Sequence, residues 1–81
     1  MSNEPGINLG EFYSRHAQEA MLAAEAIEAE ADILQRTHPA DAEVIVKVKQ
    51  MLQSANELCE YAQETERTAK RMEGVLYVFR R

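Results

Sequence analysis

Two ladders of apolar residues, spaced alternately three and four positions apart, constrain the fold of this 81-residue chain more than any other feature. Such spacing places one apolar stripe along a helix and directs that stripe at a neighbouring helix. The first ladder comprises Tyr13, Ala17, Ala20, Ala24, Ile27, Ala31 and Leu34. The second, in which only Thr65 is not hydrophobic, comprises Val44, Val48, Met51, Ala55, Leu58, Ala62, Thr65, Ala69, Met72, Leu76 and Phe79. The sequence therefore predicts an all-α fold with two long helices.

The ends of the predicted helices are indicated by local sequence signals. Asn8 followed by Glu11 is typical of a capping box, in which side chains satisfy backbone N–H groups at a helix start. Pro39 marks a break, because proline disfavours a helical conformation at the preceding residue and suits the first helical position. The resulting division is a flexible tail over residues 1–8, helix 1 over about 9–37, helix 2 over about 39–73, and an overhang over 74–81.

The short connection at Pro39 predicts that the helices run antiparallel as a hairpin. Opposing ladder positions then have residue numbers that sum to 78 or 79, as in Leu34 with Val44 and Ala24 with Ala55. Layers built from alanine bury little apolar area, so the hairpin alone is expected to be marginally stable. We expect oligomerisation or a partner helix to complete this helical coiled coil.

Beyond Thr65 the pairing rule leaves the positions from Met72 to Phe79 without partners in the hairpin. Gly74 either ends helix 2 in a left-handed cap or is tolerated within it at a cost of about 1 kcal/mol. The segment after it is rich in β-branched and aromatic residues, which favours addition to the sheet edge of another protein. The alternative is that the segment folds back over Phe12 and Ile7.

Helix 1 carries a second apolar strip that one neighbouring helix cannot cover. Together with the overhang it supplies the predicted partner-binding residues, which are Leu22, Ala26, Ala29, Ile33, Met72, Val75, Leu76, Tyr77 and Phe79. Two occupants fit this strip, namely a second copy of the chain in a four-helix bundle and an amphipathic helix from a different protein.

Charge is distributed unevenly along the chain. Residues 1–66 carry 13 acidic and 4 basic side chains, whereas residues 67–81 carry 5 basic side chains and 1 acidic one. The acidic body argues against nucleic-acid binding, which requires a basic surface. The five basic charges and short aromatic run of the C-terminal end are weak evidence for contact with an anionic membrane surface, so membrane contact is not expected. The sequence has neither a signal peptide nor an apolar run of about 20 residues. We therefore expect a soluble, cytoplasmic protein.

The sequence offers no arrangement typical of catalysis, of metal binding or of cofactor binding. Two sets of carboxylates share helix faces, Glu25, Glu28 and Asp32 on helix 1 and Glu57, Glu60 and Glu64 on helix 2. They lack the Glu-x-x-His pairs of helical-bundle metal sites, and His16 and His38 stand at opposite ends of helix 1. The single cysteine, Cys59, cannot form an internal disulfide and is interpreted as a small apolar residue beside the seam. A non-enzymatic protein is expected.

These observations favour a small acidic helical chaperone or adaptor that covers an amphipathic segment of a partner. In length and layout, over most of the chain, the sequence resembles the helical-hairpin co-chaperones of bacterial type III secretion needle subunits, a resemblance that implies the same kind of role. One alternative is a self-assembling structural bundle. Another is an acidic inhibitor or anti-activator that occupies a basic surface of a larger complex.

Overall fold

The computed structural model describes residues 6–78, which form a narrow rod with overall dimensions of 65 × 21 × 17 Å. Four elements follow one another: β1 (Gly6–Asn8), α1 (Leu9–Thr37), α2 (Ala42–Arg71) and β2 (Leu76–Val78). The two helices pack against each other along the rod, so the predicted all-α helical hairpin is confirmed. A two-stranded sheet formed by β1 and β2 lies at the open end.

Helix α1 begins and ends with local hydrogen bonds. The Asn8 side chain accepts a hydrogen bond from the backbone N–H of Glu11 at 3.2 Å, which satisfies one donor of the first turn. At the other end the His38 N–H donates to the Leu34 carbonyl at 2.9 Å. The helix therefore stops directly before Pro39.

Helix α2 begins at Ala42 rather than at about Pro39. The Asp41 carboxylate accepts hydrogen bonds from the N–H groups of Glu43 and Val44 at 2.9 and 3.3 Å. Asp41 is thus the N-cap and stands outside the helix, and Pro39 belongs to the turn. The predicted start at about residue 39 was too early because the Asp41 side chain caps the helix from outside its first turn.

The seam between the helices is formed by the two ladders. Every ladder residue from Tyr13 to Met72 is buried or half-buried. The buried members are Ala17, Ala20, Ala24, Ala31, Val48, Ala55, Ala62, Thr65 and Ala69. The one polar member, Thr65, donates its hydroxyl hydrogen bond to the Tyr61 carbonyl at 2.7 Å, so no polar group is stranded there. The core of the described chain therefore consists mainly of methyl groups.

A rod with such a thin core exposes much surface for its mass. The accessible area is 6667 Å², whereas a compact monomer of 9.2 kDa exposes about 4,900 Å². The radius of gyration is 18.5 Å, against about 12 Å for a compact domain of this length. The chain thus exposes about 1,700 Å² more surface than a compact monomer of the same mass.

The two strands join the ends of the helices at the open end of the hairpin, and we call this pair the strand clasp. Strands β1 and β2 are antiparallel, with Gly6 opposite Val78 and Ile7 opposite Tyr77. The chain reaches β2 through a turn in which Gly74 has φ of 79°, a left-handed conformation that suits glycine. The clasp continues into α1, because the Leu9 N–H donates to the Val75 carbonyl at 2.9 Å.

The clasp corrects two predictions. Helix α2 ends at Arg71, and Leu76–Val78 pair with Gly6–Asn8 of the same chain, so the prediction that this segment lacks a partner within the chain was wrong. The alternative that it folds back over Ile7 and Phe12 is what the structure shows, since Ile7 stands opposite Tyr77 and a depression joins Tyr77 to Phe12. Likewise Gly6–Asn8 form a strand and are not part of a flexible tail. The pairing rule of the seam does not predict this strand pair, because it assumes that both segments are helical. A strand rises about 3.3 Å per residue whereas a helix rises 1.5 Å, so the rule no longer matches residues at the same height.

Candidate protein interface

The predicted strip on α1 is exposed along its whole length. Leu22, Ala26, Ala29 and Ile33 all face away from the seam, and the side chains of Leu22 and Ile33 are 64% and 59% exposed. Isolated exposed apolar residues are common on proteins, but a row of four along one helix is a candidate contact surface.

The predicted binding residues of the C-terminal segment lie apart from this strip, at the clasp. Met72 is half-buried, whereas Val75, Leu76 and Tyr77 are exposed. Phe79 lies outside the described residues. The structure therefore does not bring the two predicted sets into one patch, since most of the first half of α1 separates them.

An aromatic cluster lies between the α1 strip and the clasp, and it was not predicted from the sequence. The ring of His16 stacks on Phe12 with centroids 6.2 Å apart, and its edge meets Tyr61 of α2 at 5.9 Å. Phe12 also meets Tyr13 edge-on at 5.4 Å. Phe12 and Tyr61 remain 48% and 47% exposed, so these rings are fixed by one another and still accessible.

These residues define one long side of the rod, which we call the aromatic face. It comprises Phe12, His16, Ala23, Ala26 and Ile33 of α1 together with Tyr61 of α2, all of them exposed. At its end a depression of about 330 Å³ lies between Phe12 and Tyr77 and is also lined by Ile7, Leu9 and Tyr13. The signal that could have revealed this face is the spacing of Phe12 and His16, which places both rings on one side of the helix.

The opposite side of the seam is concave, and we call it the groove face. Three depressions follow one another along it. The central one, of about 510 Å³, has Ala17 and Ala62 at its floor and Met21 and Leu22 at its side. The one near the turn contains Ile45 and Leu52. The groove exists because the alanines of the closely packed seam are shorter than the side chains that flank them on both helices.

The polar chemistry of the described residues is that of a solvated surface. Glu25, Glu28 and Asp32 are exposed, and Asp32 pairs with Arg36 one turn later at 2.7 Å. Among residues 6–78 no group of three or more potential metal ligands comes together. Cys59 is a half-buried free thiol. Within the same range no helix is long and apolar enough to cross a membrane.

Comparisons with known proteins do not add to this description. No protein-family model matches the chain, and searches of curated proteins and of solved structures found no similar protein. The function must therefore be inferred from the two faces.

Proposed function

We propose that the chain is a non-enzymatic adaptor or chaperone that binds an amphipathic helix of another protein along its aromatic face. The observation that carries this proposal is the cluster of Phe12, His16 and Tyr61, whose rings contact one another across both helices and remain about half exposed. Aromatic residues are enriched at protein interfaces, and tyrosine is enriched among the few residues that contribute most of the binding energy.

The cluster is suited to binding because its rings already hold fixed positions and lose little conformational freedom when a partner covers them. Each ring has only two rotatable side-chain bonds, and the contacts with His16 already hold the rings of Phe12 and Tyr61. A partner that covers these rings gains apolar contact at a small entropic cost. The small residues Ala23 and Ala26 beyond the cluster allow a second helix to approach closely.

Length and charge support a helix as the occupant. The aromatic face extends from Phe12 to Ile33, a distance of about 32 Å at 1.5 Å per residue, which matches a partner helix of about 20 residues. Carboxylates lie between the apolar residues of this face at Glu19 and Glu30 of α1, and Glu57 and Glu64 lie on the same side of α2. The partner helix is therefore expected to carry lysine or arginine beside its apolar stripe.

A displayed library of 20-residue amphipathic helical peptides, half with basic and half with acidic flanks, tests this proposal with the purified chain as bait. We expect selection of basic-flanked peptides with apolar residues at i, i+3, i+4 and i+7. Tyr61→Ala should weaken their binding roughly 30-fold, the effect of removing a hot-spot residue. Val46→Ala is the matched control, because Val46 is similarly exposed on α2 but points away from the aromatic face.

The proposal fails if no peptide is enriched, or if the selected peptides bind the Tyr61→Ala variant as tightly as the original chain. A chaperone role makes a further demand, because a bound helix stabilises only the folded state of the hairpin. A selected peptide at 100 times its Kd should stabilise the hairpin by about 2.7 kcal/mol. An unchanged melting temperature in thermal denaturation with that peptide would show that the peptide does not bind the folded hairpin and would contradict the proposal.

A further inference from the structure

The groove face is acidic towards the open end of the hairpin. The central depression, of about 510 Å³, adjoins the one nearer the clasp, of about 400 Å³, and Glu66 lines both. The charged side chains that line these two depressions are Glu11, Glu66, Glu73 and Lys70. All four are exposed, and three carboxylates with one ammonium give a net charge of −2. We call the two adjacent depressions the acidic groove.

The floor and one side of the acidic groove are apolar. Ala17, Ala62 and Ala69 line it and are 3–5% exposed. Met21 and Leu22 line its central depression and are 39% and 64% exposed. Apolar side chains beside charges of one sign fit an amphipathic partner of the opposite charge.

The spacing of the two depressions indicates that the partner segment is helical. Ala62 lines one depression and Ala69 the other, so equivalent positions are seven residues apart, or about 10.5 Å along α2. A helix that lies along the groove presents side chains on one face at that same interval. An extended strand presents them at multiples of about 6.6 Å, which does not match the two depressions.

We propose that the acidic groove binds a basic amphipathic helix of another protein. An apolar side chain of that helix occupies the central depression, and a lysine or arginine seven positions away lies beside Glu11, Glu66 and Glu73. A second copy of the chain fits less well, because its net charge of −5 brings like charge to this surface. The groove and the aromatic face lie on opposite sides of the seam, so this inference does not depend on the partner proposed for the aromatic face.

A helical peptide of about 18 residues tests the proposal with the purified full chain. It consists of alanine and glutamine, except for two leucines one turn apart and two arginines, each seven positions from one leucine. Its control carries glutamate in place of both arginines. In fluorescence anisotropy at about 50 mM salt, the arginine peptide should bind at least roughly tenfold more tightly than the glutamate peptide. This difference should shrink at about 0.5 M salt.

Paired substitutions locate the bound peptide on the chain, once each variant is shown to keep its helical circular dichroism. Glu66→Lys should weaken binding roughly tenfold, because Glu66 lines both depressions. Glu64→Lys makes the same charge change on the other side of α2 and should weaken it less than about threefold. Leu22→Gln should weaken binding roughly fivefold, whereas Ile33→Gln, at a similarly exposed position outside the acidic groove, should not.

Binding on the aromatic face would give the opposite pattern. Loss of binding with Tyr61→Ala or Glu64→Lys, together with unchanged binding to Glu66→Lys, overturns the proposal. So does equal affinity for the arginine and glutamate peptides, or no binding of the arginine peptide at about 1 mM. If sedimentation equilibrium shows that the chain alone is a dimer and that the peptide dissociates it, a second copy occupies the groove and the proposal is wrong.

Discussion

Adding atoms to the seam should damage this protein, and Ala24→Leu tests that expectation. Ala24 and Ala55 are each 1% exposed. The register established by Ala17 and Ala62, which share one depression, places Ala24 and Ala55 opposite each other seven residues further on. A leucine at position 24 therefore projects into the facing helix rather than into a cavity.

Two effects compete at this position. Burying three more carbon atoms would contribute about 2 kcal/mol if room existed. The seam has no room for these atoms, so either the leucine turns outward or the helices separate and expose neighbouring alanine layers. Overpacking of this kind costs about 1–3 kcal/mol. A chain of 81 residues has a total stability of about 4–12 kcal/mol. A net loss near 2 kcal/mol would lower Tm by about 10 °C.

Urea denaturation followed by circular dichroism measures this loss. The protein concentration must be fixed, because self-association raises the apparent stability. Ala29→Leu is the matched control, since Ala29 lies on the exposed side of the same helix and leucine and alanine have similar helix propensities. If Ala24→Leu unfolds at the same urea concentration as the original chain, or if Ala29→Leu is equally destabilised, the description of a closely packed alanine seam is wrong.

Three further substitutions test the helix ends and the clasp. Gly74→Ala should destabilise the chain by about 1 kcal/mol in urea denaturation, because φ of 79° strains any residue with a Cβ atom. Asp41→Ala should cost about 1 kcal/mol by removing the cap of α2, whereas Ser54→Ala on the exposed middle of that helix should change stability by less than about 0.5 kcal/mol. Gly10→Ala would place a Cβ atom 3.1 Å from the Glu73 Cα, so the amide of Leu9 should exchange hydrogen faster while the helix centres keep their protection. Unchanged exchange at Leu9 would show that the clasp does not need this close approach.

The hairpin could be predicted from sequence because one physical rule determines it. A periodic apolar stripe must be buried, and a short connection leaves only an antiparallel neighbour to bury it. The burial of Ala17, Ala24, Ala31, Ala55 and Ala62 follows from that rule alone. This rule applies wherever the two packed segments are both helical and therefore have the same rise per residue.

The clasp and the aromatic cluster could not be predicted in the same way. Three-residue strands have too few positions to show an alternating pattern, and the pairing of Ile7 with Tyr77 joins opposite ends of the chain. The contact between His16 and Tyr61 involves positions just beside the seam, where residue type is less restricted than within it. Both features depend on tertiary geometry rather than on local periodicity.

The strand clasp also decides how the rod responds to tension. Gly6 and Val78 stand directly opposite each other, so a force that separates them acts across the strands and loads their hydrogen bonds one after another. After the clasp opens, the same force would separate the seam layer by layer from the open end towards Pro39. The protein should therefore open like a zipper at low force, with no point along its length at which many contacts must break together.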